Sequence, residues 1–138
     1  MRIAVVADDL IWATRLADAV RGAGADPVPV RSAAALGEAL ADTDHAIVDL
    51  TARAYDPLAA IAHARAAGRR VLAVGQHDDA DLRRRALAAG AERVFAYRAL
   101  FERGTERLAG WLASPTPSER PLRLEHPPGP RRAPATSR

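Results

Sequence analysis

Short apolar runs alternate with stretches of helical period through most of this chain, and that alternation constrains the fold more than any other feature. Runs at 3–7, 46–50, 71–74 and 93–96 have the length and composition of buried strands. Between and after them, helical spacing is read at 10–21, 33–41, 56–68, 79–89 and 105–113. The starts and stops agree with this reading. Ser32 and Asp56 are placed to cap helices, and Pro57 fits the first helical position, where its missing N–H is not needed. Gly22, Gly24, Gly68 and Gly90 stand where helices should end. Buried strands separated by helices predict an α/β chain, with a parallel sheet covered on both faces.

One more strand, at 26–30, carries Pro27 and Pro29. Neither has an N–H, and residues two apart point the same way along a strand. This strand can therefore pair on one side only and belongs at an edge. The flavodoxin-like, doubly wound order 2-1-3-4-5 puts the second strand at an edge, so the prolines favour a five-stranded sheet of that order.

The chain of 138 residues fits one domain, 1–113, followed by an extension, 114–138. Seven of the last 25 residues are Pro and few are apolar, so a disordered Pro/Arg-rich tail is expected. The formal net charge is +3, and five Arg against two Glu in that tail account for all of it. The remainder is balanced and offers no basic field, so a nucleic-acid partner is not expected. No apolar run approaches the length of a membrane span, and the N-terminus reads as a strand rather than a signal peptide. There is no cysteine. Neither a membrane partner nor export is expected, and a cytoplasmic location is.

Ligands of open parallel sheets bind at the carboxyl ends of the strands. Those ends carry Asp8 and Asp9 after the first strand, Asp49 in the third, Gly75 in the fourth, and Tyr97 and Arg98 after the fifth. Three converging carboxylates repel one another, and a hard divalent cation such as Mg²⁺ would relieve the repulsion. Asp8, Asp9 and Asp49 are the candidate metal ligands.

These residues resemble the receiver domain of bacterial response regulators, the CheY-like family. The likeness covers about 1–113. It rests on Val5-Val6-Ala7-Asp8-Asp9 leading into a helix, on Ile47-Val48-Asp49 ending the third strand, and on Ala88-Ala89-Gly90-Ala91 before the fifth. The resemblance implies that Asp8 and Asp9 hold Mg²⁺ and that Asp49 is the phospho-acceptor, attacking a phosphohistidine of a sensor kinase. It also implies a Thr or Ser at the end of the fourth strand, a Lys at the end of the fifth, and an aromatic switch residue. Here the match fails. Counting from Gly90 puts Gly75 at the hydroxyl position, Tyr97 at the Lys position, Arg98 at the following Pro and Val94 at the switch. Shifting by one residue puts Arg98 at the Lys position and Phe95 at the switch. Gly75 and Arg98 are thus candidate phosphoryl contacts, and Phe95 and Tyr97 candidate switch residues. The loop Leu50-Thr51-Ala52-Arg53-Ala54-Tyr55 lacks the family's Met-Pro-Gly pattern. Gly75-Gln76-His77-Asp78-Asp79 and Arg98-Ala99-Leu100-Phe101 also resemble a small group of stand-alone, atypical receivers.

Plainer roles exist for the same residues. Asp8 and Asp9 could cap the first helix, Asp49 could be a hydrogen-bonded strand end, and Gly75 could serve a tight turn. His77 could be a solvated loop residue, and Arg83, Arg84 and Arg85 a solvated helix face. Trp12 could line the rim of the acidic pocket.

The reading favoured by these residues is a stand-alone receiver-like signalling module of two-component, phosphorelay type. It is not an enzyme. It acts by contact with a signalling partner, either a sensor kinase or a downstream target, and its phosphorylation site is degenerate. A conventional phospho-accepting regulator using Asp49 and Mg²⁺ is the first alternative. A flavodoxin-like ligand-binding domain is another, although no Gly-rich phosphate loop follows the first strand. A nucleic-acid binder acting through the tail is the last. The resemblance also implies a homodimer or partner surface on the face of the fourth helix, fifth strand and last helix, the α4-β5-α5 face.

Overall fold

The computed structural model describes residues 1–76 and 78–114. His77 and residues 115–138, which include all of the expected tail but Ser114, lie outside the described residues. Five strands, β1 (Arg2–Val6), β2 (Asp26–Val30), β3 (His45–Asp49), β4 (Arg70–Gly75) and β5 (Arg93–Ala96), form one parallel sheet in the order β2-β1-β3-β4-β5. Five helices follow them in turn: α1 (Leu10–Gly22), α2 (Ala33–Leu40), α3 (Pro57–Ala66), α4 (Ala80–Ala89) and α5 (Tyr97–Ala113). Among the described residues no helix is long and apolar enough to cross a membrane.

The edge position of β2 follows from its prolines. Asp26 N donates to Met1 O at 2.9 Å, and Val30 O accepts from Ala7 N at 3.0 Å. The even-numbered residues of β2 thus face β1. Pro27 and Pro29 face the open edge, where their missing donors leave less for another strand to pair with.

Alternation along the strands divides the core into two layers. Ala4, Val6, Ala46, Val48, Val71, Ala73 and Val94 pack with Leu36, Leu40, Ile61, Ala64 and Ala86 of α2, α3 and α4. Ile3, Val5, Ile47, Leu72 and Val74 pack with Leu16 and Val20 of α1 and with Leu100, Leu108 and Trp111 of α5. Asp9, Ser32, Asp56 and Asp79 each accept a backbone N–H at the start of a helix. Gly90, with φ of 125°, ends α4 in a conformation that side-chained residues rarely adopt.

The last helix differs from its expected extent of 105–113. It begins at Tyr97, and Arg103, at φ −142° and ψ 41°, breaks it into two segments. The first segment, 97–102, has only Leu100 buried, which is too little apolar periodicity to be read from the sequence. It is held instead by its tertiary contacts at Tyr97.

Candidate functional site

The carboxyl ends of β1, β3, β4 and β5 meet at one edge of the sheet, and Asp49 sits at its centre. Its residue is 0% exposed. Asp49 Oδ1 accepts from Thr51 N at 3.0 Å and from Thr51 Oγ1 at 2.9 Å, the local turn expected of an Asp two residues ahead of a loop N–H. The Tyr97 hydroxyl donates to the same oxygen. The Thr51 and Tyr97 hydroxyls lie 2.6 Å apart. Asp49 Oδ2 is buried and has no hydrogen-bond partner. Burial, together with the hydrogen bond to Asp49, raises the Tyr97 pKa above its ordinary value of 10.0. A neutral phenol therefore stands against the acid at neutral pH.

The other two carboxylates turn elsewhere. Asp8 Oδ2 accepts from Arg53 N and Ala54 N, both at 2.7 Å, and these amides, Ala54 first, hold its pKa below the ordinary value. Asp9 Oδ1 caps α1 through Trp12 N at 3.0 Å. The Tyr55 hydroxyl, buried in the same loop, reaches Val6 O at 2.6 Å and Asp49 O at 3.2 Å, tying the ends of β1 and β3 together. Burial raises its pKa as well.

These positions bear on the metal expectation. Asp8 is committed to loop amides and Asp9 to a helix cap. Among the described residues no group of three or more Asp, Glu or His is set to hold a metal ion. Asp8 Oδ2 and Asp9 Oδ1 are thus occupied by backbone amides, and the three carboxylates expected to share Mg²⁺ are not drawn together on a common point.

Tyr97 reaches Asp49. Arg98 does not: its side chain is 79% exposed and faces Glu102 at 3.6 Å. Phe95 packs on the layer of α1 and α5, with the Arg93 guanidinium 6.0 Å from its ring. Val94 is buried in the opposite layer. Gly75 ends β4, and a Cβ there would approach Leu50 Cδ1 to 3.1 Å, a flexible side-chain end. Trp12 stacks on Tyr97 with ring centroids 4.0 Å apart. Thr51 and Tyr55 were not singled out from the sequence as site residues. Thr51 had a local signal in its spacing from Asp49. Tyr55 had none, because its shorter hydrogen bond goes to Val6 O, 49 residues away.

One oxygen of Asp49 is closed off by three donors and the other is buried. Gly75 ends β4 without a side chain, and the side chain that reaches Asp49 from the end of β5 is the Tyr97 phenol.

No protein-family model matches the sequence, and no curated protein matches it. Solved structures do match. A response regulator from Thermotoga maritima aligns with a TM-score of 0.70 at 19% identity, over 82% of this chain and 98% of the other. The signal receiver domain of a DNA binding response regulator from Colwellia psychrerythraea 34H aligns at 0.66 and 21%, over 80% and 98%. A Burkholderia pseudomallei response regulator solved with a phosphorylated aspartic acid, a calcium ion and citrate aligns at 0.61 and 19%, over 81% and 72%. With its strand order, its five helices and its acid at the end of β3, the chain has the fold of response-regulator receiver domains.

Proposed function

We propose that this chain is a receiver-like signalling module that works through contact with other proteins and does not accept a phosphoryl group at Asp49. The observation that carries this reading is the Tyr97 hydroxyl on Asp49 Oδ1. An incoming phosphoryl group must displace that phenol, while β4 ends in Gly75 with no side-chain hydroxyl to offer and Arg98 faces Glu102. A hydrogen bond to a charged group contributes about 1.5–3 kcal/mol, so the missing partners matter to both the transfer and the product. The polar network of Thr51, Tyr55, Asp8 and Asp49 instead holds the loop after β3 in a single arrangement suited to recognition by shape.

The test is intact-mass analysis of the full chain after exposure to acetyl phosphate and Mg²⁺, with a conventional receiver labelled in parallel. No added phosphoryl mass is expected. Stoichiometric addition that Asp49→Asn abolishes would overturn the reading in favour of a conventional phospho-acceptor. The double variant Gly75→Thr/Tyr97→Lys, which supplies the missing hydroxyl and cation, is expected to gain labelling.

A further inference from the structure

The large apolar side chains exposed among the described residues are Met1, Leu10, Ile11, Leu87 and Phe101. Two of them share one place. Ile11, 66% exposed, and Phe101, 62% exposed, line a cavity of about 410 Å³ with Trp12, Arg15, Tyr97 and Arg98, between the first turns of α1 and α5. Arg15 lies over the Phe101 ring at 4.4 Å and over Trp12 at 5.7 Å, so the aromatic floor is held in place. The α4 surface is different. Arg84 and Arg85 both pair with Asp81 within the helix, Arg83 bonds Val94 O at 3.0 Å, and Leu87 is only 44% exposed.

We infer that the α1–α5 face, centred on Phe101, is the surface through which two copies of this chain associate about a two-fold axis. The charges around Phe101 are the reason for choosing a second copy over an unrelated partner. Arg98 and Glu102 stand one helical turn apart on the exposed face of α5, flanking Phe101, and pair loosely at 3.6 Å with side chains 79% and 61% exposed. A partner of a single sign would leave one of them unmatched. A second copy of α5 packed antiparallel about an axis between them sets Arg98 of each copy against Glu102 of the other, because in a two-fold interface residue i meets j and j meets i. The exposed pair within one chain contributes little, so exchanging it for a pair across the interface costs little. The aromatic anchor sits at the centre and the charges at the rim, as in interfaces whose energy is concentrated in a few residues. Tyr97 lines the same cavity, so covering the face also fixes the ring that closes Asp49. The inference does not depend on whether Asp49 is phosphorylated: mass analysis reports the one and sedimentation the other.

The experiment is sedimentation equilibrium of the full chain. The unaltered protein should show a reversible monomer–dimer equilibrium, and Phe101→Ser should weaken it by about tenfold or more while leaving the circular dichroism spectrum unchanged. Arg98→Glu alone and Glu102→Arg alone should each be weakened by like charges meeting across the axis. An equimolar mixture of those two variants should recover the dimer, since each then presents the sign that the other lacks. Loss of the pair within one chain could not be repaired by mixing. A protein that sediments as a monomer throughout, a dimer indifferent to Phe101→Ser, or a mixture that stays as weak as its components would each overturn the inference.

Discussion

The two edges of the sheet bury a charge in opposite ways. At the amino edge Arg70 is 7% exposed, and its donors are met. Nε and Nη2 bond the two Glu92 oxygens at 2.9 Å each, Nη1 bonds Ser114 O at 3.0 Å, and Nη2 also reaches Trp111 O at 3.2 Å. Trp111 Nε1 completes the group on Glu92 at 3.2 Å. His45, edge-on to Trp111, leaves Nδ1 without a partner, but burial and the charge of Arg70 lower its pKa and favour the neutral form. At the carboxyl edge Asp49 is buried more deeply, yet three donors crowd one oxygen while the other has none. The first arrangement is that of a structural clamp, which fastens the end of α5 to β4. Each edge leaves one buried polar atom without a partner, but at the amino edge it is the Nδ1 of a histidine favoured neutral and at the carboxyl edge it is an oxygen of the acid itself, a cost that folding alone gives less reason to keep.

The largest expected effect separates these two edges. Arg70→Met removes the guanidinium that neutralises the buried Glu92 carboxylate and should lose about 3–5 kcal/mol in urea unfolding. Asp49→Asn keeps the acceptor oxygen and removes a buried charge, so it should cost less than about 1 kcal/mol or stabilise. Equal losses for the two variants would break the comparison and make Asp49 a structural residue.

Next in size is Tyr97→Phe, which removes one donor from Asp49 and should cost about 1.5–3 kcal/mol. The chain has two tyrosines, so ultraviolet titration reads Tyr55 and Tyr97 alone. Both folded pKa values are raised above 10.0. Their contribution to stability is therefore complete below the ordinary value and declines as the pH rises through the folded values. Tyrosinate absorbance should be absent from the folded protein just above pH 10 and appear together with loss of the circular dichroism signal. In Tyr97→Phe the remaining absorbance should still follow unfolding. Ionisation of one tyrosine before unfolding would show that the Tyr97 hydroxyl is not held on Asp49.

The smallest effect belongs to Asp8, which is only partly covered. Its carboxyl is held below the ordinary 3.8 by the Ala54 and Arg53 amides, so its stabilisation is present above 3.8 and is lost as the pH falls through the folded value. Asp8→Asn should flatten the acid limb of the stability curve relative to the unaltered protein. An unchanged acid limb would mean that the loop amides do not hold the carboxylate in solution.

Much of the fold was legible from local features. The prolines of β2 set its edge position because a missing N–H acts in any context. The helix caps at Asp56 and Ser32 were readable for the same reason: a side-chain oxygen two or three residues before an N–H needs no distant partner. The placement of Asp8, Asp9 and Asp49 at strand ends followed from the run of apolar residues before each. The first half of α5 was not legible, because with one buried residue its helicity depends on contacts rather than on pattern.

At the site, the sequence by itself determined which acids reach the carboxyl edge and that β4 brings no hydroxyl there. Only the tertiary structure decided how they are used. Asp9 turns to its own helix and Asp8 to amides 45 and 46 residues away. Tyr97, rather than Arg98, crosses 48 residues of chain to close Asp49. Strand pattern fixes a backbone position at a sheet edge. It does not fix which of two adjacent side chains points inward where strand gives way to helix, and there a one-residue choice exchanges a solvated cation for a half-buried phenol.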